Sequence, residues 1–167
     1  MKFKTTRFDE IEYSEEEVIK FPKGILGFAQ LTKYVWINRK ESEPFRWLQS
    51  VEDPKVAFVL INPLVFFPNY QPTVNEKEIE ELEYADHRKL QTYVIVTVPS
   101  DPSLMSANLQ GPLVVNPENS LAKQMVLVNS PYTPRHFVLD ELEKQLKAKE
   151  KEARRKENQS NHLASTL

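Results

Sequence analysis

Residues 48–72 read LQSVEDPKVAFVLINPLVFFPNYQP, and the fold follows from how that stretch is punctuated. Trp47–Val51 is strand-like, Glu52-Asp53-Pro54 is a turn sequence, and Val56–Ile61 is an unbroken apolar run closed by Asn62-Pro63. An apolar run of that length, bounded by turn residues, predicts a strand covered by protein on both faces. The next segment, Pro63–Tyr70, carries Phe66, Phe67 and Tyr70 and supports two readings. It is either a buried edge strand or crossover whose rings fill the core, or a partly exposed apolar patch with a polar rim, the composition of a protein-binding hot spot. The stretch contains no His and no Cys.

The same pattern repeats outward. Phe3–Phe8, Val18–Phe21, Tyr34–Ile37, Tyr93–Val98, Leu113–Asn116 and Gln124–Val128 are short and carry β-branched or aromatic side chains, and Ser106–Gln110 reads as a further short strand before Gly111-Pro112. The 12 prolines cluster at their ends, where a residue that cannot donate to a ladder terminates strands and blunts edges. Ser14 and Glu17 match a capping box, but the apolar run behind them stops at Pro22, which favours a strand there. Gly24 and Gly27 mark a sharp turn, and their spacing fits neither a P-loop nor a dinucleotide fingerprint. Asn75 is placed to cap a short helix with Ile79 and Leu82 on one face. These features predict an all-β single domain over residues 1–137, a compact antiparallel barrel-like or sandwich fold with one short helix.

From Val138 the composition changes. Leu139, Leu142 and Leu146 recur at helical spacing behind an Asp140/Glu143 cap, and four acid-before-base pairs lie four residues apart. The apolar stripe ends at Leu146, so the expectation is a charged helix over residues 138–157, docked by its first two turns, and a disordered segment over 158–167.

Composition excludes several function classes. With no Cys, neither a disulfide nor a thiolate metal site is available. The N-terminus lacks a secretory apolar stretch, and no run approaches the roughly 18 apolar residues of a membrane span, so a soluble intracellular chain is expected. Removing the seven bases and six acids of residues 138–167 from totals of 22 and 24 leaves a mildly acidic body, which disfavours direct nucleic-acid binding. His87, His136 and His162 are isolated and lack metal-ligand spacing. Ser103, Ser106 and Ser130 stand in no nucleophile elbow. Asp53 and Asp101 each precede Pro, where an Asp caps a turn; an acid–base pair made by two such turns is the one enzymatic alternative. No catalytic residue, cofactor or metal is expected.

Several segments together resemble the FliW family of bacterial flagellar assembly factors: FPKGILGF (Phe21–Phe28), the 48–72 stretch, YVIVTVP (Tyr93–Pro99), SANLQGPLVVN (Ser106–Asn116), and QMVL (Gln124–Leu127) followed by Tyr132, Arg135 and His136. The departures are Leu26 where Pro is expected, Gly111 where Ala is usual, and the charged tail. The resemblance implies a compact β-barrel-like protein of the bacterial cytoplasm, monomeric when free, that works by binding. Its implied partners are flagellin and the RNA-binding translational repressor CsrA, whose hold on flagellin messenger the freed factor weakens allosterically. A flagellin-only chaperone is the alternative. Candidate contact residues, from motif position and composition, are Glu52, Asp53, Phe66, Phe67, Asn69, Tyr70, Asn108 and Gln110, the last two in the Asn108–Gly111 strand end. Phe66 and Tyr70 are expected to be replaceable with little loss of stability.

Overall fold

The computed structural model describes residues 1–166, with side chains through Asn161. Among the described residues eleven strands and two α-helices follow one another. They are β1 (Lys2–Thr5), β2 (Asp9–Glu12), β3 (Ile19–Lys20), β4 (Lys33–Ile37), β5 (Arg46–Ser50), β6 (Ala57–Ile61), α1 (Glu76–Glu80), β7 (Gln91–Thr97), β8 (Ser106–Ala107), β9 (Leu113–Asn116), β10 (Leu121–Gln124), β11 (His136–Phe137) and α2 (Val138–Thr166). The main sheet runs β11-β8-β7-β6-β5-β4-β3-β10-β9, and an extra β7–β9 pairing closes seven of these strands into a barrel. The fold class is therefore the all-β, barrel-like one expected.

Closure depends on β7 being shared. Its first half, Gln91–Tyr93, pairs with β9, and its last residues, Val96 and Thr97, pair with β8. Pairing is antiparallel except between β3 and β10, which run parallel through a single register pair, Leu121 with Lys20. β3 is too short to extend that contact because Pro22 follows Phe21.

Alternation along the strands explains the two-sided apolar runs. On β7, Tyr93 and Ile95 join the barrel interior, while Val94 and Val96 join a second cluster outside it. On β6, Leu60 and Phe58 face in, and Ile61 and Val59 face out. The outer cluster is covered by the 63–70 segment and the start of α2. Ile11 of β2 and Tyr13 just after it cover Val18, Val35 and Val51, and α1 with the turn that follows it sets Ile79 and Leu82 against Val114 and Met125.

Three local readings are corrected and one holds. Phe3–Phe8 is not one strand but the first arm of the β1–β2 hairpin. Thr5 causes the reversal: its Oγ1 accepts the Phe8 N–H at 2.7 Å and donates to the Asp9 carbonyl at 2.9 Å. The Ser14–Glu17 box holds as read: Glu17 accepts from the Ser14 N–H and hydroxyl, closing a 3₁₀ turn over Glu15–Glu17, and strand β3 follows it. The strand read over Ser106–Gln110 stops at Ala107, because Asn108 Oδ1 accepts the Gln110 and Gly111 N–H groups and turns the chain. The strand read over Gln124–Val128 lies instead at Leu121–Gln124, with Met125 and Leu127 bonding to Pro112 and Gln110 beyond it.

The C-terminal helix also differs. It starts at Val138, directly from β11, where the Val138 N–H bonds the Met105 carbonyl at 3.0 Å. No Gly or Pro interrupts it, and it continues to Thr166 rather than ending at 157 before a disordered segment; Leu167 lies outside the described residues. Docking uses Val138, Glu141, Leu142 and Gln145, a stripe at three- and four-residue spacing, whereas Leu139 and Leu146 are exposed. Of the four acid–base pairs expected, Glu152–Lys156 lies within ion-pair distance among the described residues, at 3.6 Å.

Candidate interaction surface

Asn62 opens the 63–70 segment as the cap of a 3₁₀ turn, its Oδ1 accepting the Leu64 N–H, with Pro63 preset at the first position. That turn throws Phe66 inward, where it is 0 % exposed, and brings Tyr70 down to 5 %. The Tyr70 hydroxyl donates to the Leu109 carbonyl at 2.6 Å, and burial pushes its ionisation well above the ordinary tyrosine range. Phe67 packs edge-on between Tyr70, Tyr132 and His136, at centroid distances of 6.5, 5.9 and 5.9 Å. The Tyr132 hydroxyl accepts the Gln71 N–H, and the Gln145 side-chain amide of α2 donates to the Phe66 carbonyl. The segment is a crossover whose rings serve the core, so Phe66 and Tyr70 are not displayed. What it leaves outside is Leu64, 53 % exposed, with Val65, Pro68 and Asn69.

Glu52 and Asp53 hold a turn rather than stand free. Ser50 Oγ accepts the N–H groups of both, Asp53 Oδ1 accepts the Lys55 N–H, and Glu52 Oε1 accepts those of Thr32 and Lys33 at 2.7 and 2.9 Å. Buried Gln49 ties the same loop from below through the Ser50, Pro54 and Val56 carbonyls. Burial, with a smaller push from Glu52, raises the neighbouring Tyr34 hydroxyl to about 12. Asp101 is likewise committed to its own turn. It accepts from the Ser103 hydroxyl and N–H, and those bonds hold its carboxyl below the usual range. An ionised turn cap has no proton to donate as a general acid.

The eight candidate residues therefore fall into two groups. Glu52 and Asp53 lie before β6 and the 66–70 residues after it, separated by a five-residue strand, about 17 Å long. Asn108 and Gln110 do join the second group, through the Tyr70 hydroxyl bond to Leu109 between them. The 125–128 segment bonded to that turn carries two surface residues whose exposure the sequence did not reveal. Val126 and Val128 are 55 % and 77 % exposed and flank Leu127, whose N–H bonds the Gln110 carbonyl. The run MVLV reads as uniformly apolar, which hides that Met125 and Leu127 point in while the two valines point out.

Charge forms a second feature. Glu76–Asp86 holds six acids against one base. Glu81 is held below the ordinary carboxylate range by the Lys123 and Lys23 ammonium groups, at 2.6 and 2.9 Å, and Glu78 also reaches Lys123. Glu76, Glu80 and Glu83 are exposed and make no ion pair among the described residues. The signal was legible as a charge run, but the sequence reading took it only as a helix.

Among the described residues no group of three or more His, Cys, Asp or Glu is placed to hold a metal ion, and no helix is long and apolar enough to cross a membrane. His136 Nε2 accepts the Thr133 N–H at 2.9 Å, a bond available only to the neutral ring. Burial lowers its basicity, with Glu141 raising it and Lys144 lowering it by smaller amounts.

Comparison with known proteins places this architecture. The flagellar assembly factor FliW of Alkaliphilus metalliredigens is 43 % identical over 145 residues, covering 86 % of this chain and 90 % of that protein. The corresponding factor of Bdellovibrio bacteriovorus is 38 % identical over 146 residues, covering 87 % and 83 %. A crystal structure of the flagellar assembly factor FliW superposes with a TM-score of 0.77 at 35 % identity, over 83 % of this chain and 96 % of that one. The sequence model described as FliW protein matches residues 2–138, ending where α2 begins. With its closed barrel, its packed 63–70 crossover and that match over nearly the whole body, the chain belongs to the FliW family of flagellar assembly factors.

Proposed function

We propose that this protein is a non-enzymatic regulator of the bacterial cytoplasm. It binds flagellin and, when released by flagellin export, binds the translational repressor CsrA away from its RNA site and relieves repression of flagellin messenger. Membership in a family of flagellar assembly factors is the observation that carries the reading. The exposed acids of the 76–83 segment support it, since an acidic face speeds encounter with a basic RNA-binding protein and selects against acidic competitors. The contact surface we favour is the Asn108–Gln110 turn with Val126 and Val128, and not the buried rings of Phe66 and Tyr70.

Co-purification with CsrA and with flagellin tests the reading. It predicts that both partners are captured, that flagellin displaces CsrA, and that Val128→Asp weakens capture while the melting temperature stays within about 2 °C, as for most surface changes. Capture of flagellin but never CsrA would select the chaperone alternative, and capture of neither would overturn both.

A further inference from the structure

One end of the barrel carries a cation whose partners are all neutral. Arg46 is the first residue of β5 and shares the inward register of Leu48. Its guanidinium lies 3.8 Å over the Trp36 ring and 5.5 Å from that of Tyr93. Nε donates to Asn38 Oδ1 at 2.9 Å and Nη1 donates to the Tyr93 hydroxyl at 2.7 Å; that hydroxyl in turn donates to Gln91 Oε1. None of the ion pairs among the described residues includes Arg46.

A guanidinium presents five N–H donors in a planar fork. Two are used here, and the remainder meet no acceptor among the described residues. The side chain is half-buried and lines a recess of about 380 Å³ with Trp36, Asn38, Ile19 and Val115. That volume is within the small-ligand range, about 300–1,000 Å³. Stacking on Trp36 fixes the plane of the fork before any ligand arrives, so little ordering remains to be done on binding.

The acids on the same wall decide the class of anion. Glu16 and Glu17 both line the recess, Glu17 already engaged by Ser14. They oppose a dianion such as phosphate more than a single carboxylate, and Glu16 suits a cationic neighbour on the ligand. We propose that this barrel-end recess binds one carboxylate group, held by the Arg46 fork against Trp36 and borne either by a small monocarboxylate or by an acidic side chain of a protein. The site lies outside the surface assigned above and does not depend on it.

The full chain is titrated at constant ionic strength while the Arg46 Nε–H and Trp36 Nε1–H resonances are followed. The probes are propionate, its neutral amide, inorganic phosphate, and a blocked Gly-Glu-Lys-Gly peptide with its Gln-for-Glu analogue. Saturable shifts with propionate assign the small-molecule source, and saturation by the Glu peptide alone assigns a protein-borne carboxylate. Either supports the site provided the neutral analogues give no saturation and phosphate binds at least tenfold more weakly. Arg46→Met abolishes the response, and Arg46→Lys, which keeps the charge but loses the fork, weakens it at least tenfold; the Lys variant carries the comparison if the Met variant does not fold. The proposal is overturned if no carboxylate saturates by about 10 mM, if phosphate binds as tightly, or if Arg46→Lys binds as wild type.

Discussion

Replacing Phe66 with alanine separates a core ring from a contact ring. Its side chain is 0 % exposed and packs with Ile61, Val94, Val96, Leu109 and Val138 in the cluster beneath α2. Removing a fully buried phenyl ring costs about 3–5 kcal/mol, as lost transfer energy plus the cavity left behind. Domains of this size lose about 2–4 °C of melting temperature per kcal/mol, so the expected drop is roughly 6–20 °C. The control is Leu64→Ala, two residues earlier and 53 % exposed, where a change within about 0.5 kcal/mol is expected. Urea titration of both variants reads the difference as a shift in midpoint at constant slope. A Phe66→Ala loss under about 1 kcal/mol, far below the large-to-small range, would refute the packed crossover and restore the ring as a displayed contact.

Three further perturbations test other parts of the structure. Gly24 has φ +67°, and a Cβ there would lie 2.6 Å from both the Ala29 Cα and the Phe28 carbonyl oxygen, so Gly24→Ala should destabilise far more than Gly27→Ala, which meets open space at φ +88°; melting temperatures of the pair check it. His136 is less basic folded than unfolded, so the unfolded chain takes up its proton first. Its contribution is complete above about pH 6.5 and is lost as pH falls through the folded value, a slope that His136→Gln should remove from stability-versus-pH curves. Glu81, Asp86 and Asp101, whose pKa values are also lowered, act in a separate and more acidic window. Truncation after Leu146 removes only exposed residues among those described and should leave the melting temperature within about 2 °C, whereas truncation after Phe137 also strips Val138, Leu142 and Gln145 from the outer cluster and should lower it clearly.

How much was legible depended on whether a signal was local. The β5–β6 hairpin followed from an apolar run and a turn sequence, because both are set by neighbouring residues. Likewise Asn75 caps α1 as read, with its Oδ1 on the Lys77 N–H. What failed needed long-range information. Nothing in Pro63–Tyr70 says that Leu109 lies within reach of the Tyr70 hydroxyl, so a ring destined for the core looked displayed. Glu52 looked like a free turn acid because its partners, the Thr32 and Lys33 N–H groups, are remote in sequence. Strand lengths erred where a side chain ended the ladder, as Asn108 does after β8. The helix stripe shifted from Leu139 and Leu146 to Val138, Leu142 and Gln145 because β11 fixes where the helix starts. The charge of the 76–86 segment was visible, but the exposure of Glu76, Glu80 and Glu83 was not.

Linkage supplies the most direct test of the proposed regulation. The affinity of CsrA for flagellin messenger leader is measured with and without a saturating amount of this protein, and the affinity of the protein for CsrA with and without saturating RNA. Binding away from the RNA site with antagonism predicts that both constants weaken by the same factor, a tenfold change corresponding to about 1.4 kcal/mol of coupling. Added flagellin should restore the RNA affinity. An RNA affinity unchanged by saturating protein would contradict the account.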